Sequence, residues 1–237
     1  MATFEQQIEG ITSIDLTATS SPTQDEVTQF LLDGVKETVD RVIKNEPSKA
    51  RIFGTTSTIN NTWGDISTVW ENGHGWINSS DNGVSVDTDI ILSVVRENGT
   101  EGKFEPAVQI SASNRSRAAD PDSLIYNSAY NPGWYMLDGK VYVLPTPSDG
   151  ANQAQVTYVT YGGAITYSNS NIANFPNEYE YLVVLYASIK ALKAAAVYQT
   201  IQEDTELTNA YLTLAASLSQ DYDKRLTPFV PSKGQES

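Results

Sequence analysis

The only histidine, His74, sits in the stretch ENGHGWIN with glycine on both sides. A Ser–His–Asp system needs a histidine held rigidly beside its nucleophile. No G-x-S-x-G elbow accompanies it, and flanking glycines describe a loop rather than a fixed base. Four acids, Asp65, Glu71, Asp87 and Asp89, lie near Trp63, Trp70 and Trp76. Two carboxylates flanking a cleft can cleave glycosides, and a tryptophan-lined groove with acids is how sugars are often held. That pattern supports a carbohydrate-binding or glycan-cleaving β module. Solvated acids and core-packing tryptophans in a small β domain account for it better. The stretch SSDNGVSVDTD offers carboxylates but not the ordered calcium loop ending in Glu at position 12, so turn chemistry accounts for it. Asn60, Asn78, Asn98 and Asn114 head Asn-x-Ser/Thr triplets, a by-product of Asn/Ser/Thr-rich loops in the absence of a secretion signal. Gly162-Gly163 and Gly73-His74-Gly75 lack the lysine and strand–helix context of a phosphate-binding loop. No catalytic residue, metal ligand or cofactor is expected.

The composition narrows the partners. The chain has 237 residues, 29 acidic against 15 basic, for a net charge of −14. Proteins that grip nucleic acid neutralise phosphates with a basic face, so specific DNA binding is not expected. An acidic wall instead lets DNA pass by like-charge repulsion over a Debye length of about 8–10 Å. Without cysteine there is no disulfide framework, zinc–thiolate site or thiol nucleophile. The opening MATFEQQIEGITS has neither the basic nor the apolar region of a signal peptide. The apolar run Leu182 to Ile189 is shorter than the roughly 20 residues of a membrane span, and no membrane association is expected.

The elements that would position any site fall into helix, β insertion and helix pair. Residues 1–22 are Ser/Thr-rich and read as an extended arm, with a short strand at Ile11 to Leu16. Thr23 and Glu26 form a capping box for a helix ending at Asn45-Glu46-Pro47. Gly34 inside it costs about 1 kcal/mol relative to Ala, which marks a close contact. From about 50 to 169 the pattern is β. Hairpins are expected around Glu97-Asn98-Gly99 and, with a two-residue turn, around Asp138-Gly139. QVTYVTYG is another strand, and 112–129 a loop with one helical turn. Asn174 is expected to cap a helix with Pro176 in its first turn, running to about Thr200. Asp204 or Thr205 opens the last helix, which carries a Leu207–Tyr211–Leu214–Leu218 stripe and ends near Leu226. Residues 227–237 are a flexible tail. The expected class is α+β: a helical domain from 23–49 and 170–226, with one N-terminal and two C-terminal helices, and a central antiparallel β insertion.

The helix after Phe175 has almost no polar side. Leu182, Leu185, Ile189, Leu192 and Ala196 form a stripe suited to the last helix. Tyr181, Val184, Ser188, Ala191, Ala195 and Tyr198 form a second, small in its middle and suited to the helix from 23 to 44. The third face holds Tyr179, Val183, Tyr186, Lys190 and Lys193, and only two other long helices are expected to surround it. Tyr-rich, Lys-poor surfaces characterise interface cores. The third face is therefore expected to meet a neighbouring subunit.

Several phrases, YVLPTP, QVTYVTYG and IANFPNEYEYLVVLYA, together with FLLDGVKETVDRV near the start, carry a resemblance that spans roughly Asp89 to Ala196. They resemble structural proteins of the head-to-tail connector of tailed bacteriophages, notably marine and cyanobacterial phages. The resemblance implies a non-enzymatic adaptor in the neck of the virion, assembled in the host cytoplasm as a homo-oligomeric ring, commonly a dodecamer. Such a ring docks beneath the portal protein, meets tail or nozzle proteins, and continues the channel for genome ejection. A neck stopper or tail-terminator ring is the nearest alternative. Termini in such proteins contact neighbours, which points here to Ile11, Ile14 and Leu16 in the arm and to Phe229 and Val230 in the tail.

Overall fold

The computed structural model describes residues 2–59, 84–86, 90–147 and 150–226. The chain is mixed α+β and divides into two compact units, one formed by residues 1–53 and 161–237 and the other by 54–160. Expected features at Trp63, Asp65, Trp70, Glu71, His74, Trp76, Asp87, Asp89, Phe229 and Val230 lie outside the described residues.

The discontinuous unit is helical. Helix α1 spans Phe4–Thr12, where an extended arm was expected. Its local cause is a second capping box: the Gln6 amide donates to Thr3 Oγ1, and the Thr3 amide to Gln6 Oε1. Phe4 and Ile8, one turn apart, are buried. Two first-turn amides, which lack helical partners, donate to the Asn169 and Tyr167 carbonyls at 2.8 and 3.0 Å. The expected strand at Ile11 to Leu16 does not form. Ile14 and Leu16 are buried, Ile11 is half-buried, and the Leu16 amide donates to the Glu9 carboxylate. This corrects their assignment as a free partner-binding arm.

Helix α2, Gln24–Asn45, begins at the expected Thr23–Glu26 box. It buries Val27, Leu31, Val35, Val39 and Val42, which recur at helical spacing along one side. A 3-10 turn, Pro47–Phe53, follows. The two C-terminal long helices are numbered after the short α3 of the β unit. Of these, α4 spans Asn177–Ile201 and α5 spans Thr205–Leu226. The start of α4 differs from expectation. Pro176 holds the capping position without a side-chain bond, and Asn174 adopts left-handed φ 57° rather than capping. Glu178 and Glu180 in the first turn suit the positive end of the helix dipole. α5 is capped by Asp204, whose carboxylate accepts from the Leu207 amide at 3.0 Å.

α4 packs against α5, α2 and α1. It is the one helix among the described residues long and apolar enough to cross a membrane, and most of it is buried inside its unit. The helices number more than the three expected, because α1 and the short α3 join them.

The second unit holds two four-stranded sheets. Strands are β1 (Gly54–Ile59), β2 (Val84–Ser85), β3 (Ile91–Glu97), β4 (Phe104–Pro106), β5 (Val108–Gln109), β6 (Gly133–Leu137), β7 (Lys140–Leu144) and β8 (Ala154–Val159); α3 is Arg115–Ala119. One sheet orders as β1-β8-β3-β4 and the other as β2-β7-β6-β5. Both expected hairpins form. β6 and β7 pair through Asp138 and Gly139, whose φ of 51° and 70° suit a two-residue hairpin turn. β3 and β4 pair across a longer turn. The insertion is not wholly antiparallel, because β5 runs parallel to β6, pairing Val108 with Gly133.

Strand alternation gives the β6–β7 sheet two buried faces. Val141 and Val143, with Trp134 and Met136, join Ile59, Val94, Ala154 and Val156 in one core. Tyr135 and Leu144, with Leu137 and Tyr142, pack with Ala118 of α3 in another. Arg96 and Glu97, both buried, tie the end of β3 to the turn after it and to residues 145 and 153. Arg96 donates to the Pro145 and Glu97 carbonyls, and the Glu97 carboxylate accepts from the Gly102 and Gln153 amides. Burial holds the Arg96 guanidinium below its ordinary pKa.

Candidate functional site

Among the described residues no group of three or more His, Asp or Glu side chains is placed to hold a metal ion. The informative surface is the third face of α4, and the structure divides it in two.

The first half is covered by the chain itself. Tyr179 lies 5.3 Å from the ring of Phe53, with Lys49 Nζ 6.0 Å above it. Val183 is 0% exposed. A side chain at Gly34 would meet Tyr186 Cδ1 at 3.1 Å, the Val183 carbonyl at 3.2 Å and Val183 Cγ1 at 3.3 Å. The missing Cβ lets α2 close directly onto this part of α4. Helix α2 therefore lies against the third face at Val183 and Tyr186, where the small-residue stripe was the expected contact. Tyr186 also lies 6.1 Å from the ring of Tyr222. Tyr222 in turn packs under Arg41, shares a buried hydrogen bond with Thr38, and has its phenol pKa pushed up to about 12 by burial. Val183 is thus a core residue, which corrects its assignment to a subunit interface, while Tyr179 and Tyr186 are half-buried against groups of their own chain.

The second half is open. Lys190 and Lys193 are exposed, and Lys190 Nζ stands 5.3 Å from the Tyr186 ring. Neither lysine makes an ion pair among the described residues. Beyond them come Val197, 64% exposed, and Ile201, 71% exposed. At 3.6 residues per turn Lys190, Lys193, Val197 and Ile201 fall within a sector of about 80°. The expected face ended at Lys193. Carrying the same step of three and four residues onward would have found Val197 and Ile201.

Helix α5 continues the open surface. From Leu207 to Gln220 it carries no charged residue. Asn209, Ala210, Leu212, Thr213, Ala216 and Ser217 are exposed, and only Ala215, Tyr222 and Leu226 of the whole helix are buried. An outer helix face normally carries charge. Small uncharged residues instead suit close approach by another helix.

Nearby, a cleft between the C-terminal ends of α2 and α5 is lined by Glu37, Asp40, Arg41, Lys44, Asn45, Asp223 and Leu226. Most of its polar groups already have partners within the same unit. Arg41 bonds Glu37 and Asp223, each at 2.6 Å, Asp40 accepts from the Tyr161 hydroxyl, and Asn45 donates to the Leu226 carbonyl.

The β unit has its own exposed apolar group: Leu124, Ile125, Tyr126 and Tyr130, all on the 120–131 loop. The loop is held from beneath. Buried Asn127 donates to the Asn131 carbonyl, and a Cβ at Gly133 would stand 2.7 Å from the Asn127 side chain. Gly133 is therefore required for the strand to pass this close. The loop so seated presents Leu124 and Tyr130 to solvent.

No protein-family model matches the chain, and no curated protein sequence matches it.

Proposed function

We propose that the chain is a structural protein of a tailed-phage virion, a head-to-tail adaptor that acts by assembly. Copies form a ring below the portal, link capsid to tail, and continue the DNA channel. In this reading one N-terminal and two C-terminal long helices make the assembly-bearing bundle, and the β unit is an insertion that reaches portal or tail proteins through the 120–131 loop.

The observation that carries the reading is the open half of α4 beside the charge-free outer face of α5. Two distinct helix surfaces on one copy are what a closed ring requires, since its contacts are heterologous. Val197, Ile201 and Leu212 are the apolar residues such a contact removes from water. The resemblance of residues 89–196 to neck proteins directs the reading to the virion. The net charge of −14 suits a wall that DNA passes without adhering.

The test is a particle image with the chain traced along the tail axis, together with native mass measurement of the purified protein with and without portal. A ring between capsid and tail supports the reading. Virions that lack the chain overturn it.

A further inference from the structure

The open stripe of α4 is self-complementary. Val197 is at its centre. Four residues before it comes Lys193, four after it Ile201; seven before it comes Lys190, seven after it Asp204. The basic end carries Lys190 and Lys193, exposed and outside any ion pair among the described residues. The opposite end carries Glu203, Asp204 and Glu206, also exposed and also outside any such pair. No lysine or arginine occurs between Ala194 and Asp223 to neutralise that end.

We propose that in the free protein two copies pair through this stripe, antiparallel and about a two-fold axis at Val197. Turning a second α4 end over end sets Val197 against its counterpart. Lys193 then lies over Ile201 of the other copy, its methylenes covering the apolar side chain while the ammonium reaches water. Lys190 comes opposite the Glu203–Asp204 turn. Because the contact is isologous, each charge pairing occurs twice. The alternative occupants fit less well. A nucleic acid would meet the acidic turn beside the two lysines, and a lipid surface would meet it as well. The stripe is short, about 17 Å from Lys190 to Ile201 at 1.5 Å per residue, so the pair belongs at the weak end of specific interfaces. A pair formed this way covers the stripe on both copies, so it must open before the stripe meets anything else.

The proposal concerns the free chain and does not rest on the adaptor reading. Its test exploits the absence of cysteine. V197C, at an exposed position, is expected to give a disulfide-linked dimer under mild oxidation, whereas K36C, exposed on α2, is expected to stay monomeric. In sedimentation, K190E/K193E is expected to raise the dimer dissociation constant about tenfold or more, because the attractive Lys190 pairing, present twice, becomes repulsive. Adding E203K/E206K to the same chain, which leaves the Asp204 cap of α5 in place, is expected to restore pairing. V197C that cross-links no more than K36C overturns the proposal, as does sedimentation that charge reversal leaves unchanged. Virions lacking the chain would remove the adaptor reading and leave the pair; failure of the V197C cross-link does the converse.

Discussion

The two halves of one face of α4 have similar chemistry and opposite surroundings. Tyr179, Val183 and Tyr186 lie under Phe53, Gly34 and Tyr222 of the same chain, whereas Val197 and Ile201 are mostly exposed. The difference does not come from α4. It comes from one glycine in another helix, whose missing side chain brings α2 close over the first half. An apolar helix face is thus a demand for cover, and only the rest of the chain decides whether the cover is internal. For Val183 full burial contributes about 1.5–3 kcal/mol to folding. For Val197 the same chemistry is left for association.

That contrast can be broken most severely at Gly34. Gly34→Leu forces a bulky side chain against a backbone carbonyl, which cannot yield, and is expected to cost about 3 kcal/mol or more, read as a lowered urea midpoint. Gly34→Ala should still destabilise. Its gain of about 1 kcal/mol in helix propensity is outweighed by three contacts at 3.1–3.3 Å. A paired substitution sharpens the comparison. Val183→Ala is expected to cost about 2–3 kcal/mol through the cavity it leaves, and Val197→Ala less than about 0.5 kcal/mol. Equal costs at the two positions would erase the distinction.

Tyr222 supplies a pH test of the covered half. Its phenol titrates near pH 10 when unfolded and at about 12 in the fold. A folded pKa above the unfolded one gives stability that is complete below pH 10 and is lost as pH rises toward 12. Chemical denaturation across that window should show the loss, and Tyr222→Phe should reduce it while costing about 1 kcal/mol at neutral pH for the hydrogen bond with Thr38. The smallest effect is expected at Ser188, whose buried hydroxyl has no partner. Ser188→Ala should be neutral or stabilising by up to about 1 kcal/mol.

Legibility followed the range of the interactions. The Thr23–Glu26 box and the Asp138-Gly139 turn are local devices, and both elements formed where the sequence placed them. α1 was equally local, with Thr3, Gln6, Phe4 and Ile8 in order, but its Ser/Thr-rich surroundings masked a single nine-residue helix. The parallel β5–β6 pair was not legible, because nothing in Val108 or Gln109 encodes a partner at Gly133 and Trp134. The candidate surface was half legible. Periodicity singled out one face of α4, yet its inner half was assigned to a neighbour because the reach of α2 is not a property of α4. The outer half lay one further turn along the same stripe.

Hydroxyl-radical footprinting of the dilute free protein and of purified virions, read at Val183, Val197 and Ile201, tests the central claim most directly. Strong modification of Val197 and Ile201 in the free chain, their protection in the particle, and protection of Val183 in both is the predicted pattern. Modification of Val183 matching that of Val197 in the free chain, or Val197 and Ile201 still reactive in the particle, would contradict it.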